Sequence, residues 1–250
     1  MNTTKIKILV IGEMCTDVFV YCDTKRLSPE APVPVLTPHE VKKNDGMAGN
    51  VVQNISAIST NSIVYKLVQP QQITKTRYID KKTNHMFIRV DEGEDKVKRF
   101  EMTYVDKERI REMDIVIVSD YDKGFLDLAL LKEIGGLSKL SILDSKRKLT
   151  EEVINSFTFV KLNKSEALNN KHLAELSNVI ITLGDEGCSF SGITYPSPKP
   201  QETIDVSGAG DTFTASFILK YYETQDISSS LKYANEMSSV VVSKRGVATP

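Results

Sequence analysis

The amino-acid sequence predicts an α/β fold with a mostly parallel central sheet, and three observations lead to that prediction. Short apolar runs rich in β-branched residues recur from residue 115 onwards, with polar, helix-like stretches between them. Each of these runs stops at a polar side chain, as strands do where a parallel sheet opens toward a ligand. A glycine turn late in the chain leads directly into an amphipathic helix.

Length and composition favour a globular enzyme that is most simply one domain. The chain has 250 residues, of which 40% are hydrophobic, so it can bury a full core. A formal net charge of -1 and a pI of about 6.3 provide no basic field for nucleic acid or an anionic membrane, so we expect a small-molecule substrate. Three cysteines without Cys-x-x-Cys spacing and three scattered histidines predict reduced thiols, a cytoplasmic setting and no structural zinc.

The first predicted element is a buried strand, Ile8-Leu9-Val10-Ile11. Glu13 and Asp17 interrupt the apolar run far short of a signal peptide or a membrane span. Because the chain leaves this strand through Gly12, Asp17 should lie near the C-terminal edge of the sheet, where open α/β sheets bind ligands. On these residues alone, a solvated aspartate in a turn is the simpler interpretation.

Closely spaced prolines mark the next segment, which runs from Arg26 to Leu36. Proline donates no ladder hydrogen bond, so this segment must be an edge strand or an extended arm, or else a linker. The run Gly46-Met47-Ala48-Gly49-Asn50 then precedes apolar residues at helical spacing over 51–58. Residues 63–68 follow as a predicted strand.

A half-exposed hairpin is predicted over residues 75–91, with its turn at 81–84, because polar and apolar residues alternate there. Lys75, Arg77 and Arg89 could pair with a phosphate that the substrate already carries. Alternatively, each could be an ordinary charge that prevents edge-to-edge pairing of strands. We expect most of them to be such charges and at least one to bind phosphate.

Four short apolar runs follow, and each ends at a polar residue. They are 115–118 ending at Ser119 and Asp120, 140–143 ending at Asp144, 157–162 ending at Asn163, and 179–181 ending at Thr182. In a parallel sheet these ends meet at one edge, which would make a single ligand cleft from residues distant in sequence. Asn163 and Glu166 lie three residues apart on one helical turn, as oxygen ligands of a hard cation would.

The late glycine turn is Asp205-Val206-Ser207-Gly208-Ala209-Gly210-Asp211, and apolar residues from Phe213 to Tyr222 keep one face of the following helix. The start of a helix offers unpaired N–H groups, so the turn is a candidate phosphate cradle. A carboxylate repels an anion there, so Asp211 needs another role, such as taking the proton of an attacking hydroxyl. The alternative is a plain turn with Asp205 or Asp211 as N-cap. Neither a Walker A loop nor Gly-x-Gly-x-x-Gly is present in this turn.

The glycine turn closely resembles the Asp-Thr-x-Gly-Ala-Gly-Asp signature of the ribokinase-like (PfkB) carbohydrate kinases, with Val206 for Thr as in the heptose kinases of that family. The segment from Arg26 to Leu36 is similar to one in the D-glycero-β-D-manno-heptose 7-phosphate kinases of the family. The resemblance extends over residues 6–249, and further motifs follow one another in the order that the family has. These motifs are Asp17 after Gly12, Gly46 to Asn50, Asp120-Tyr121-Asp122-Lys123-Gly124, Asp144-Ser145-Lys146, Asn163 to Glu166, and Thr182-Leu183-Gly184-Asp185-Glu186-Gly187.

This resemblance implies a Rossmann-like, three-layer αβα fold of the ribokinase-like kind. It implies one kinase domain over 1–250, with a small β-sheet lid formed by about 17–37 and 73–91 that could also make a homodimer contact. The implied reaction is ATP-dependent phosphorylation of a sugar or sugar phosphate, with Mg²⁺ as cofactor, most closely the anomeric hydroxyl of D-glycero-β-D-manno-heptose 7-phosphate.

The resemblance also implies roles for particular residues. Asp211 would be the catalytic base, and Gly208, Ala209 and Gly210 would form the anion hole. Residues implied to bind nucleotide are Asn163, Glu166, Thr182, Gly184, Gly187 and Asn235, the first two also positioning the metal. Residues implied or expected to bind the sugar substrate are Asp17, Gly46, Asn50, Arg89 and Lys123.

Four features depart from the family pattern. Glu13 stands where the family has Asp, and Met47 stands where it has Gly. A strand and a helix that usually precede the hairpin are missing, and the span between Asn163 and Thr182 is short. The alternatives are therefore a related kinase acting on fructose or ribose, or a trimmed relative that binds nucleotide or sugar without catalysis. Some heptose kinases are fused to an adenylyltransferase domain, and we expect any nucleotidyl transfer to reside elsewhere.

Overall fold

The computed structural model describes residues 5–198, 208–244 and 249–250, so Asp205, Val206 and Ser207 of the glycine turn lie outside the described residues. The strands are β1 (Ile6–Gly12), β2 (Met14–Leu27), β3 (Pro34–Met47), β4 (Ser62–Val68), β5 (Thr74–Asp80), β6 (Met86–Glu92), β7 (Ile115–Asp120), β8 (Ser141–Ser145), β9 (Phe159–Asn163), β10 (Val179–Thr182), β11 (Cys188–Phe190) and β12 (Ile193–Tyr195). The helices are α1 (Ala48–Ile58), α2 (Tyr104–Glu112), α3 (Leu128–Leu137), α4 (Glu151–Ile154), α5 (Lys164–Asn169), α6 (Ala209–Thr224) and α7 (Ile227–Val242).

A central sheet of eight strands runs through the described part of the chain, in the order β12-β11-β10-β9-β8-β7-β1-β4. Neighbouring strands from β4 to β10 are parallel, and β11 and β12 add an antiparallel edge. Parallel neighbours need crossover connections, which the helices between the strands supply. The prediction of a mostly parallel central sheet is therefore confirmed.

Helices cover both faces of this sheet because its strands are apolar on both sides. In β1, Ile8 and Val10 pack into one core, and Leu9 and Ile11 pack into the other. The first core includes side chains of α1, α6 and α7, and the second includes side chains of α2, α3 and α4. Each fully buried aliphatic side chain of this kind stabilises the fold by about 1.5–3 kcal/mol. The result is the predicted three-layer αβα architecture.

A second, smaller sheet of four strands has the order β3-β2-β5-β6. Strand β2 follows β1 with only Glu13 between them, so the small sheet rises directly from the end of a central strand. The predicted hairpin is confirmed as the antiparallel pair of β5 and β6. Residues 69–73 join β4 to β5 where the family would insert a further strand and helix, and β4 forms one edge of the central sheet.

The proline-rich segment forms a bend at residues 29–33 and then β3, which is an edge strand of the small sheet, as the prolines predict. Strand β3 continues to Met47, beyond the predicted limit at residue 37, because residues 40–47 keep pairing with β2. Their largely polar sequence hides this pairing from a hydrophobicity pattern. Within the described residues, we find no helix with the length and apolar character that crossing a membrane requires.

Candidate active site

A cleft of about 740 Å³ opens at the C-terminal ends of the central strands, facing the start of α6. Among the predicted strand-end residues, Asp144, Asn163 and Thr182 line this cleft. Asp120 does not, since its carboxylate accepts two hydrogen bonds from Arg147, at 2.6 and 2.9 Å, and one from Ser145. The expected convergence of strand ends on one cleft is thus observed for three of the four strands.

Asp211 lies in the first turn of α6 and faces this cleft, although it is buried. The helix begins after Gly208, whose φ of 83° is left-handed and suits glycine. The side-chain amide of Asn50 donates to Oδ2 of Asp211 at 2.7 Å, and the phenol of Tyr121 donates to Oδ1 at 3.2 Å. These two donors fix the carboxylate at the boundary between α6 and the cleft.

Burial raises the pKa of Asp211 to about 6. That pKa already includes an upward contribution from the nearby carboxylate of Asp144 and downward contributions from the hydrogen bond of Asn50 and the ammonium groups of Lys161 and Lys146. A carboxylate with such a pKa is ionised at neutral pH and is a stronger base than an exposed aspartate. The side chain therefore has the protonation behaviour that a general base requires.

The glycine turn presents main-chain N–H groups to the same cleft. Gly208, Ala209 and Gly210 all line it, and the first turn of a helix leaves its N–H groups without intrahelical acceptors. A Cβ atom on Gly210 would lie 3.0 Å from the ammonium of Lys161, so glycine allows that ammonium to approach the helix start. An anion held at this turn would meet both main-chain dipoles and a lysine.

Three charged side chains form a cluster beside the turn, and two of them, Asp144 and Lys161, are buried. Lys161 donates to Oδ2 of Asp144 at 2.7 Å, and the ammonium of Lys146 lies 3.8 Å from Oδ1 of the same carboxylate. Burial alone would raise the pKa of Asp144, but the ammonium groups of Lys161 and Lys146 hold it below its usual range. Oδ1 of Asp144 is buried and has no hydrogen-bond donor within the described residues.

Asn163 and Glu166 are brought together as predicted, but they bind each other. Asn163 caps α5 by accepting from the N–H of Glu166 at 2.9 Å, and its own N–H donates to Oε2 of Glu166 at 2.7 Å. Oε1 of Glu166 accepts from the Asn163 amide and from Lys146, both at 2.6 Å.

These contacts decide how well the pair fits a magnesium ion. Three of the four lone pairs on the Glu166 carboxylate already face donors, and the described residues contain no cluster of three metal-binding side chains. Asn163 and Glu166 in this geometry therefore do not fit Mg²⁺ as direct ligands. Use of magnesium, which the family resemblance implies, stays a prediction.

Three of the predicted sugar-binding residues come from neighbouring elements: Asp17 lies on β2, Gly46 on β3 and Asn50 in α1. Asp17 is buried and ion-paired with Arg77, and Asn50 contacts Asp211 directly. A Cβ atom on Gly46 would lie 2.0 Å from Oδ2 of Asp17, so glycine is required for that carboxylate to sit where it does. The pKa of the Cys15 thiol is raised to about 12, chiefly by burial and in part by the negative charges of Asp17 and Asp211.

The cations of the hairpin have different partners. Arg89 makes two hydrogen bonds of 2.9 Å with Asp91 and is about half exposed, on β6 and away from the residues that line the cleft. Lys123 and Lys75 share a single carboxylate, that of Glu94, at 2.6 and 3.2 Å respectively. Lys75 also lies over the ring of Tyr121, with its ammonium 5.9 Å from the ring centroid.

The predicted nucleotide-binding residues Thr182, Gly184, Gly187 and Asn235 all line the far end of the cleft. A Cβ atom on Gly187 would lie 2.1 Å from the carbonyl oxygen of Tyr195, so this turn also needs glycine. Asn235 is buried, and its amide donates to the same carbonyl at 2.8 Å. Its observed contact is thus to the last residue of β12, at the border of the cleft.

Sequence reasoning missed the roles of Tyr121, Lys146 and Lys161. All three line the cleft near Asp211, and the first two belong to motifs that were recognised without assigning them a function. The signal for Lys161 was its position inside the apolar run of β9, where a charged residue needs a partner. Glu13 gave a similar signal, since it follows the apolar run of β1 and Gly12 directly. In the structure it has no exposed surface.

Comparison with protein-family models matches residues 62–250 to the family described as pfkB family carbohydrate kinase. Among curated proteins, the chain is 31% identical to the bifunctional protein HldE of Helicobacter pylori strain J99, over an alignment that covers 97% of this chain and 64% of HldE. The chain thus spans 64% of the length of that relative.

Solved structures show a related fold. The ribokinase of Thermotoga maritima is similar with a TM-score of 0.75 and 16% identity, covering 97% of this chain and 94% of that protein. The ribokinase of Arabidopsis thaliana, solved with ribose and ATP, is similar with a TM-score of 0.70 and 17% identity, covering 98% of this chain and 94% of that protein. The fold is therefore ribokinase-like.

Proposed function

Because this chain belongs to the pfkB family of carbohydrate kinases, we propose that it transfers the terminal phosphoryl group of ATP to a sugar phosphate. The acceptor we propose is the anomeric hydroxyl of D-glycero-β-D-manno-heptose 7-phosphate. The observation that carries this proposal is the position of Asp211, a buried carboxylate with a pKa of about 6, at the border of the cleft and next to the glycine turn. Whatever other activity a longer relative has is not part of the proposal.

Asp211 acts as the general base in this reaction. Its carboxylate accepts the proton of the sugar hydroxyl as the hydroxyl oxygen forms a bond to the γ-phosphorus of ATP. The bond between that phosphorus and the β,γ-bridging oxygen breaks in the same step, and ADP leaves. Asn50 and Tyr121 donate hydrogen bonds to the two carboxylate oxygens, which keeps the base oriented before proton transfer.

Main-chain amides and lysines offset the negative charge of the transferring group. The N–H groups of Ala209 and Gly210 point outward from the start of α6, where the helix dipole also favours an anion. Lys161 lies close to Gly210, and Lys146 lies on the other side of Asp144. The amides belong to a helix start and Lys161 belongs to strand β9, so these groups need little reorganisation during the reaction.

The phosphate already on the sugar is proposed to bind between Lys75 and Lys123. Arg77 and Arg89 each have one carboxylate partner, whereas Lys75 and Lys123 share one, so this pair has an excess positive charge. Their side chains come from β5 of the small sheet and from the loop after β7. Lys123 was predicted as a substrate ligand, and Lys75 was one of the three candidate phosphate-binding cations of the hairpin.

The small sheet is proposed to act as a lid over the sugar within one kinase domain. Its outer strands carry exposed apolar side chains, including Val41 on β3 and Ile88 on β6. Exposed apolar groups on a sheet edge favour pairing with a second surface, so we include a homodimer through this lid in the proposal. Light scattering of the wild type and of Val41→Asp tests it, and a wild-type monomer would contradict it.

A coupled assay for ADP release tests the proposed reaction. The sugars compared are D-glycero-β-D-manno-heptose 7-phosphate, fructose, ribose, and the phosphates of fructose and ribose, each with ATP. We expect ADP release to depend on the sugar and to be fastest with the heptose phosphate. Faster release with unphosphorylated fructose or ribose would contradict the acceptor, and no sugar-dependent release would contradict the kinase proposal as a whole.

A further inference from the structure

Glu13 is a fully buried carboxylate that the reaction described above does not use. It accepts hydrogen bonds from three main-chain N–H groups, those of Tyr121 at 2.8 Å, Lys123 at 3.1 Å and Phe125 at 3.2 Å. Burial raises the pKa of Glu13, and the nearby Asp120 raises it further. Burying a carboxylate costs free energy unless several hydrogen-bond donors satisfy it. The three N–H groups that converge on Glu13 therefore indicate that its carboxylate has a specific role.

The loop 121–125, which Glu13 contacts, has a backbone conformation that is unfavourable without support from its surroundings. Asp122 has a φ of 56° and Gly124 a φ of 99°, both in the left-handed region. Such conformations persist in a non-glycine residue only when the surroundings determine them. The loop also carries Tyr121, whose phenol donates to Oδ1 of Asp211 at 3.2 Å.

The main chain of Glu13 leads to the other donor of Asp211. Its carbonyl oxygen accepts from the N–H of Ala48 at 2.9 Å, at the start of α1. The same helix carries Asn50, whose amide donates to Oδ2 of Asp211 at 2.7 Å. Both hydrogen bonds that orient Asp211 therefore originate from elements attached to residue 13.

The surroundings of Glu13 keep it in place. A Cβ atom on Gly12 would lie 1.9 Å from the carbonyl oxygen of Ser119, so glycine lets the end of β1 approach the end of β7. Gln69 makes two hydrogen bonds with the main chain of Met14, at 2.9 and 2.6 Å. The main chain on both sides of Glu13, at Gly12 and at Met14, is thus held in place independently of the contacts that its carboxylate makes with the loop.

We propose that Glu13 is a positioning residue for the catalytic base, acting through Tyr121. Its carboxylate holds the loop 121–125 so that the phenol of Tyr121 donates to Asp211, while its carbonyl supports the helix that carries Asn50. This inference rests on the proposed role of Asp211 in phosphoryl transfer. It assigns a function to the position where this chain departs from the Gly-Asp pattern of its family.

Glu13→Gln isolates the contact to Tyr121. In the wild type, Oε1 accepts from the N–H groups of Lys123 and Phe125, and Oε2 accepts from the N–H of Tyr121. The amide oxygen of Gln can replace Oε1 and keep the first two hydrogen bonds. Its NH₂ group then faces the N–H of Tyr121 and cannot accept from it. The carbonyl contact to Ala48 is unaffected. Tyr121→Phe removes the phenol donor directly, and Glu152→Gln is a matched control on the exposed surface.

The first measurement is the titration of the Asp211 carboxyl by ¹³C NMR, without substrates. Loss of the phenol donor should move the midpoint up from about 6 by roughly 0.5–1 pH unit in Tyr121→Phe, and up by a smaller amount in Glu13→Gln, which also loses a negative charge. Removing the negative charge of Glu13 alone would move the midpoint down, so the two explanations predict opposite signs. The other groups that influence Asp211, which are Asn50, Asp144, Lys161 and Lys146, are unchanged in these variants.

The second measurement is a double-mutant cycle on kcat/KM for the sugar substrate. Each single variant should lose on the order of tenfold, and the double variant should lose no more than Tyr121→Phe alone. Glu13→Asp keeps the charge with a shorter reach, so its loss should be smaller than that of Glu13→Gln, and it replaces that variant if Gln prevents folding. Glu152→Gln should behave as the wild type.

An unchanged or lowered Asp211 midpoint in Glu13→Gln would overturn the inference, as would effects of Glu13→Gln and Tyr121→Phe that simply add. The NMR result does not depend on turnover. A wild type without sugar-dependent ADP release would therefore contradict the proposed function, while the midpoint would still decide whether Glu13 orients Asp211.

Discussion

At the scale of single residues, Asp211 combines two requirements that conflict. As the proposed base, it must be desolvated to be strong, yet it must be ionised to accept a proton. Two hydrogen-bond donors and two nearby ammonium groups offset part of the cost of ionisation, and a pKa of about 6 is the result. The rate should therefore fall with acid below about pH 6.

The same balance makes a prediction about stability. The pKa of Asp211 is raised from 3.8 in the unfolded chain to about 6 in the folded one, so the folded state loses stability as pH rises through this range. Asp211→Asn removes that cost. Relative to wild type, the free energy of unfolding of Asp211→Asn should gain about 1 kcal/mol between pH 5 and pH 8, as measured by urea denaturation. A gain equal to that of the exposed control Asp95→Asn would contradict the raised pKa.

Gly46 provides a second prediction for a single residue. The Cβ of Gly46→Ala would lie 2.0 Å from Oδ2 of Asp17 and 2.7 Å from the sulfur of Cys15, so Asp17 must move. We expect the KM for the sugar to rise about tenfold or more, with the KM for ATP unchanged, in steady-state kinetics. Gly136→Ala is the matched control, because its Cβ meets no atom within 4 Å. Equal kinetics in the two variants would show that Asp17 does not hold the sugar.

At the scale of helices and strands, the residues at the start of a helix can contribute both to folding and to the site. Helices α2 and α5 both begin with a capping box, formed by Thr103 with Asp106 and by Asn163 with Glu166. The first lies away from the cleft, and Asn163 lines it. The two boxes have the same hydrogen-bond pattern, so they separate the contribution to folding from the contribution to the site.

This pair gives a prediction at the element scale. Thr103→Ala and Asn163→Ala should each lower the free energy of unfolding by about 0.5–2 kcal/mol, as loss of an N-cap generally does. Only Asn163→Ala should also raise the KM for ATP, because Glu166 and Lys146 lose their fixed positions beside the cleft. Denaturant unfolding and kinetics on the same samples measure both effects. An unchanged KM for ATP in Asn163→Ala would limit this box to a structural role.

At the scale of the whole molecule, the αβα layers bring together residues from β8, β9, β10 and α6. The layers could be predicted from the sequence because β-branched runs with polar ends have few other uses in a chain of this length. The start of α6 could be predicted because glycine and helical periodicity meet there. The position of Asp211 at the cleft followed from those two predictions together.

Other parts of the site could not be predicted because they depend on distances between elements. In the sequence, Lys161 is an unexplained charge within an apolar strand. Only the register of β8 and β9 in the structure shows that it pairs with Asp144. Glu13 reads as a weak match to a family motif until three N–H groups from residues 121–125 meet its carboxylate. The partners of Asn163 and Glu166 were also invisible, since an Asn and a Glu three residues apart can cap a helix or bind a cation equally well.

The most direct test of the whole account is the rate of ADP release by Asp211→Asn, compared with wild type, at saturating ATP and sugar phosphate. Loss of general-base catalysis should lower kcat by about 10²–10⁴-fold, while ATP binding measured by calorimetry stays close to that of the wild type. An Asp211→Asn variant with a normal kcat would show that this carboxylate is not the base and would contradict the account.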